Sequence, residues 1–149
     1  MAENKEVQLL DSNILIYAYD STEKEKHVIA KNLLAECWKR NKIYALSVQN
    51  ISEFFVVTTK KISNPIKPDE MKANIQDIIT FSNFNILNIN KNSVLSAIEI
   101  SSNNNLSYWD ALIASVMKEN GISTIVTEND KDFNKITGLK VINPFTKGK

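Results

Sequence analysis

Five carboxylates and a few neutral oxygen donors are the residues best suited to chemistry in this chain. Asp11 follows a short apolar run, Val7 to Leu10. Glu53 lies about two turns inside a segment opened by Ser47. Asp110 stands three residues after Ser107, at the head of an apolar helical stretch. Asn129, Asp130 and Asp132 follow the β-branched run Thr124 to Thr127. Like charges gathered in one cleft oppose ionisation. A hard divalent cation relieves that cost and prefers oxygen ligands, so Mg²⁺ or Mn²⁺ suits this donor set. Such an ion polarises a phosphodiester and activates water. This chemistry needs neither a histidine base nor a cysteine nucleophile, and the chain has one of each, His27 and Cys37.

Asn13, Ser47 and Thr127 could orient carboxylates or water from the flanks. Each acid also has a structural reading. Asp110 completes capping-box spacing with Ser107, and Asp130 does the same with Thr127. Asp11 could close an Asx-turn. Glu53 and Asp132 could be plain solvated surface. Asn50 could pair with Ser47 at a helix start.

These residues need a frame that brings them together. Val7 to Leu10, Tyr44 to Leu46, Asn85 to Ile89, Thr124 to Thr127 and Val141 to Ile142 read as strands. Between them lie helical patterns. Ile14 to Tyr19 forms a short helix, and Thr22 with Glu25 has capping-box spacing for a second. Val28, Leu33, Leu34 and Trp38 mark one face of that second helix, with Cys37 close by. Ser47 opens a helix to about Lys60. Pro68 or Asp69 opens another, with Ile75, Ile78, Ile79 and Phe81 as its apolar side. Val94, Leu95, Ala97 and Ile98 form a further stripe. The segment from Ser107 to Gly121 is apolar nearly all round, the pattern of a central helix. The alternation implies an α/β protein, a parallel sheet covered by helices on both faces. Ligands in such sheets bind beyond the carboxyl ends of the strands, where most of the acids fall.

Composition narrows the classes. A chain of 149 residues with 43% hydrophobic and 23% charged residues fits one globular domain. One cysteine excludes an internal disulfide framework, and one histidine excludes a Cys/His zinc cluster. The net charge is +1 and Arg40 is the sole arginine, so base reading by several Arg forks is not expected. No apolar stretch approaches the ~20 residues of a membrane span. Met1 to Glu6 is polar and lacks the apolar core of a signal peptide. The expectation is a cytoplasmic protein without membrane contact.

The motifs in order resemble the PIN-domain family, especially VapC-type ribonuclease toxins of toxin–antitoxin pairs. "DSNILIYAYD" from Asp11 resembles the opening motif, with Asp11 as first metal ligand and Ser12 and Asn13 as its small polar residues. "LSVQNISEFF" resembles the second, placing its glutamate at Glu53. "LSYWDALIASV" resembles the third, with the catalytic aspartate at Asp110. "IVTENDKDF" and "GLKVINPF" resemble the last motif and the chain end. Many relatives carry an acid at the position of Asn129; others place it three residues later. The fourth acid is therefore assigned to Asp132, with Asp130 as the alternative.

The resemblance implies one PIN-like domain over residues 1–149, a three-layer α/β/α sandwich with a five-stranded parallel sheet. It implies Mg²⁺- or Mn²⁺-dependent endonucleolytic cleavage of RNA, with Asp11, Glu53, Asp110 and Asp132 as catalytic and metal-holding residues. It also implies a small cognate antitoxin and a homodimer. Lys39, Arg40, Lys42, Lys60 and Lys61 are the candidate RNA contacts. The alternative is a non-catalytic PIN-like binding module with a degenerate metal site, suggested by Asn129. A phosphatase with Asp11 as nucleophile is a third reading, for which no lysine is securely placed.

Overall fold

The computed structural model describes residues 6–146. Apart from Glu6, the polar stretch Met1 to Glu6 lies outside them, as do residues 147–149 of the expected domain. Five strands form one sheet: β1 (Val7–Leu10), β2 (Ile43–Ser47), β3 (Phe84–Leu87), β4 (Thr124–Val126) and β5 (Lys140–Ile142). Their spatial order is β3-β2-β1-β4-β5 and all four pairings are parallel. The chain reverses direction across the sheet between β1 and β4, so the carboxyl ends of these two neighbours form the switch point.

Side chains alternate across the sheet with period two, as the pleat requires. Leu10, Tyr44, Leu46 and Val126 point to one face. There they meet α1 (Ser12–Tyr19), α2 (Lys24–Trp38), α3 (Val48–Lys60) and α4 (Pro68–Thr80). Leu9, Ala45 and Ile125 point to the other face, against α6 (Tyr108–Glu119) and Phe133 of the short α7 (Asp130–Phe133). The outer side of α6 is covered by α5 (Lys91–Asn104) through Ala97, Leu106, Ala111 and Leu112. This sandwiching explains why α6 is apolar nearly all round: Ala111 to Met117 are all buried. Gly121 ends it at φ +67, a backbone region that costs glycine no side-chain clash. The architecture is the three-layer α/β/α sandwich expected. Among the described residues no helix is long and apolar enough to cross a membrane.

Several local expectations are corrected. The Thr22–Glu25 box does not form. Asp20 takes the cap, accepting from the Thr22 N–H (3.1 Å) and hydroxyl (2.6 Å), and a 3₁₀ turn at Ser21–Glu23 precedes α2. On α2 the core positions are Ala30, Leu34 and Cys37, while Val28 is 56% exposed. The third strand ends at Leu87, because Asn90 turns to cap α5 by accepting from the Asn92 and Ser93 N–H groups. On α4, Met71 and Ile78 are buried and Ile79 is exposed. On α5, Ser93 and Ala97 face inward, whereas Val94, Leu95 and Ile98 are exposed.

Candidate active site

Asp11 occupies the first position beyond β1, and its N–H still donates to the Val126 carbonyl of β4 (3.0 Å). It is therefore held by the ladder at the switch point. It is also the N-cap of α1, where its Oδ1 accepts from the Ser12 N–H at 2.8 Å. Asn50 Nδ2 approaches the same oxygen at 3.4 Å. Oδ2 accepts from the Thr127 hydroxyl (2.8 Å) and from Asn13 Nδ2 (3.3 Å). Asp11 is 5% exposed. Burial, the largest influence, pushes its carboxyl above the ordinary range, and the Glu53 charge adds to the rise; the hydrogen bonds from Thr127 and Ser12 pull the other way. Desolvation outweighs the donors, so a cation or a proton at this oxygen pair would relieve a standing cost.

Glu53 is exposed on the second turn of α3. Its Oε1 accepts from the Ser12 hydroxyl at 3.3 Å, and that hydroxyl also lies 3.4 Å from Asp11 Oδ1. Ser12 thus links the two carboxylates. Ser47 caps α3 in a reciprocal box with Asn50, donating to Asn50 Oδ1 and accepting from its N–H. Asn50 therefore does both jobs, closing the box with Oδ1 and reaching Asp11 with Nδ2. Ser47 acts on the site through it.

Asp110 is the third residue of α6. The Ser107 hydroxyl accepts from its N–H (3.2 Å), and the carboxylate Oδ2 accepts from Asn129 Nδ2 (3.2 Å). Burial raises the Asp110 carboxyl, with Asp11 and Asp132 as further causes; Ser107 and Asn129 oppose the rise. Asn129 is oriented by its own N–H, which donates to the Thr127 hydroxyl at 2.9 Å. One hydrogen-bonded path thus runs Glu53–Ser12–Asp11–Thr127–Asn129–Asp110. Asn13 ties it to the loop by accepting from the Glu128 N–H (3.2 Å).

The two acids of α7 differ. The Thr127–Asp130 box is not formed: Asn129 is the N-cap and makes no side-chain cap bond. Instead Asp130 Oδ1 accepts from Asn143 Nδ2 (3.2 Å), which anchors the segment after β5. Asp132 raises Asp110 and is flanked by Lys135, 3.7 Å away. Phe133 beside it is fully buried and anchors the turn.

The structure does not bring the candidate RNA-contacting lysines to this edge. Lys39, Arg40 and Lys42 precede β2, at the amino end of the sheet, roughly 13 Å of strand away from Ser47. Arg40 donates to Ser82 and stacks on Phe81, 4.7 Å from its centroid. Lys60 and Lys61 stand at the far end of α3, about 20 Å along the helix from its Ser47 cap. Lys26 on α2, Lys131 on α7 and Lys135 in the turn after it lie nearer the acids; Lys26 pairs with Glu128 and Lys135 with Asp132.

Ser12, Asn50, Glu128 and Asn143 were not among the assigned site residues. Ser12 and Asn50 sit at helix starts, where capping accounts for them without any site. Nothing in the sequence signals that Asn143 reaches Asp130. The two remaining nucleophile types are accounted for structurally. Cys37 is buried with its thiol pushed up to about 11 by burial, and His27 Nδ1 lies 2.9 Å from the Tyr17 carbonyl.

Among the described residues no three His, Cys, Asp or Glu side chains lie close enough together to hold one metal ion. The donors that do converge are all oxygens. Mg²⁺ commonly takes one or two carboxylates and completes its shell with water and substrate phosphate. The donor set fits an ion of that kind and does not form a closed protein cage.

A family model described as PIN domain matches residues 9–139. No curated protein matches the chain. Among solved structures, a toxin–antitoxin complex from Klebsiella pneumoniae is 25% identical, with a TM-score of 0.65 and 93% of this chain and 98% of that chain covered. VapBC2 from Rickettsia felis bound to a promoter DNA fragment is 21% identical, with a TM-score of 0.63 and coverages of 91% and 96%. Mycobacterium tuberculosis VapC20, a sarcin–ricin loop cleaving toxin, is 14% identical, with a TM-score of 0.62 and coverages of 80% and 86%. At such identities the latter two likenesses speak for the fold alone.

Proposed function

The chain belongs to the PIN-domain family, and on that footing we propose that its acidic edge is the site of a divalent-metal-dependent endoribonuclease. The observation that carries this reading is the hydrogen-bonded path that joins Glu53, Asp11 and Asp110 at the carboxyl edge of the sheet. Burial chiefly raises Asp11 and Asp110; the Glu53 charge adds to the first rise, and the Asp11 and Asp132 charges to the second. A fold bears such a cost at a site that a cation or a reacting group completes.

Asp11, Glu53 and Asp110 would hold or orient Mg²⁺ or Mn²⁺, one or two of them directly and the rest through water, with Asp132 as the fourth acid. The ion would supply Lewis-acid stabilisation of phosphate charge and a lowered water pKa. The chain's own contribution is positional. Ser12, Asn13, Asn50 and Thr127 fix the Asp11 oxygens, and Asn129 fixes Asp110. In this reading the protein is a single-domain, cytoplasmic toxin, active as a homodimer and paired with a small cognate antitoxin. Likeness to the Klebsiella toxin–antitoxin complex supports the pairing.

A second reading is a PIN-like binding module with a degenerate metal site. It is favoured by the lack of a three-ligand group among the described residues and by the neutral amide of Asn129 against Asp110. On ligand count alone it describes the resting arrangement better. Thermal melting during a Mn²⁺ titration separates the two. Binding to the native state alone stabilises by about 2.7 kcal/mol at 100 times Kd. The enzyme reading predicts saturable stabilisation that is lost in Asp11→Asn. An unchanged melt at millimolar Mn²⁺ supports the module.

A further inference from the structure

The chain has two tryptophans, and they stand in different surroundings. Trp38 packs among aromatic rings, 4.8 Å from Phe81 and 5.0 Å from Phe84 between centroids. Trp109 is 65% exposed and meets the Tyr108 ring edge-on at 5.2 Å. Burying an indole removes 150–250 Å² from water, so leaving one open forgoes a large stabilisation.

Trp109 immediately precedes Asp110, in the first turn of α6. Its carbonyl accepts from Gln49 Nε2 of α3 at 3.1 Å. Gln49 and Glu53 are four residues apart and therefore share one face of α3. The Trp109 backbone is thus pinned between the helix that carries Asp110 and the face that carries Glu53. Gln49 Oε1 is buried and has no hydrogen-bond partner among the described residues.

The surroundings distinguish this indole from a protein-docking patch. The neighbouring positions Ser107, Asp110, Gln49 and Glu53 are polar, and the exposed Val94 and Leu95 of α5 lie elsewhere. The Ser93 hydroxyl donates to Glu119 and the Ser115 hydroxyl to the Ser93 carbonyl, so the first turn of α5 lies beside the last turn of α6. Val94 and Leu95, next to Ser93, are therefore level with residues 6 to 10 positions beyond Trp109, about 9–15 Å along the α6 axis. A lone flat aromatic among polar groups suits the π-face of an unstacked base, which single-strand-binding proteins capture in this way.

We propose that Trp109 is a stacking platform for a nucleobase flanking the phosphate presented to Asp110 and Glu53. The inference rests on the ribonuclease reading and adds to it a preference for single-stranded RNA with an unpaired base at that position. The test is fluorescence anisotropy with a labelled ten-nucleotide single-stranded RNA in EDTA at low salt. It compares wild type, Trp109→Ala, Trp109→Phe and the Trp38→Phe control, with sedimentation to read the association state. In Trp38→Phe the remaining indole emission reports Trp109 directly. The expected result is saturable quenching of that emission, weakening of about 5- to 150-fold in Trp109→Ala, and recovery of most affinity in Trp109→Phe. RNA binding that is equal in wild type and Trp109→Ala overturns the platform and leaves the ribonuclease reading standing. Unchanged RNA affinity with a lowered association state in Trp109→Ala assigns the indole to a protein contact and overturns the platform too. No RNA binding by wild type, in EDTA or in Mn²⁺, removes the ribonuclease reading and the platform together.

Discussion

At the carboxyl end of the sheet, Asp11 is 5% exposed, accepts hydrogen bonds from four residues and is still pushed towards its protonated form. At the amino end, Lys39, Arg40 and Lys42 are exposed, and Lys39 reaches Glu36 across 3.7 Å of solvent-accessible surface. Both ends carry charge, under opposite conditions. Exposed charge is well solvated, and exposed ion pairs contribute on the order of 0–1 kcal/mol. Charge at the carboxyl end is desolvated and set against like charge, an arrangement that packing alone does not require. Abundance of a residue type is therefore a poor guide to a site, and the cost of its placement is a better one.

Breaking the contrast at α7 is expected to have a large effect. Asp132 influences Asp110, whereas Asp130 is committed to Asn143. Asp132→Asn is expected to lower RNA cleavage about ten-fold or more, as loss of a group orienting a metal site does. Asp130→Asn is expected to cost ~1 kcal/mol of stability or less and to leave the rate near wild type, because an amide keeps most of the local bonding. Side-by-side rates and melts on one substrate decide this; the reverse ranking moves the fourth acid to Asp130.

Asn129→Asp sharpens the contrast by adding charge where Asn129 Nδ2 now lies 3.2 Å from Asp110. Metal-free protein should lose stability and Mn²⁺ should bind more tightly. Calorimetric titration showing unchanged Mn²⁺ affinity would place position 129 outside the metal's reach.

The metal-free protein should also show the cost in its pH dependence. Asp11 and Asp110 are raised above their ordinary 3.8 in the folded state. Below 3.8 both folded and unfolded forms are protonated and no penalty applies. As pH rises from 3.8 through the raised folded values, the unfolded state ionises first and stability falls; above them the loss is complete. Asp11→Asn removes one part of that loss. Its advantage over wild type should grow with pH across this window and vanish at the acid end, as read by denaturant melts in EDTA. A variant less stable than wild type at neutral pH would contradict the sign.

The smallest effect is expected at the amino end. Lys39→Ala with Lys42→Ala should change stability by no more than about 0.5 kcal/mol and leave cleavage unaltered. A loss of RNA binding comparable to that of a carboxyl-end variant would restore these lysines to the interface.

The strands and the order of elements were legible because buried parallel strands and capping residues leave short-range signals, as at Ser47 and Ser107. The convergence of Asp11 and Asp110 followed from the rule that such sheets bind ligands at their carboxyl ends. Helix faces were less legible. Val94, Leu95 and Ile98 read as a core stripe, yet Ser93 and Ala97 face α6, because small residues allow close helix packing that hydrophobicity does not report. Placing the lysines requires knowing which end of each element they occupy: Lys39, Arg40 and Lys42 stand at the amino end of β2, and the acids gather beyond the carboxyl ends of the strands. The Asp130–Asn143 bond joins residues brought together only by the β4–β5 pairing.

Cleavage of total RNA with end mapping, with and without Mg²⁺, tests the central claim most directly when wild type is set beside Asp110→Asn. Asparagine preserves shape and can still meet Asn129, but it removes the charge. Mg²⁺-dependent cuts at defined positions, reduced at least ~10²-fold in Asp110→Asn, are the expected result. Cleavage by Asp110→Asn at the wild-type rate, or cleavage indifferent to Mg²⁺, would contradict the account.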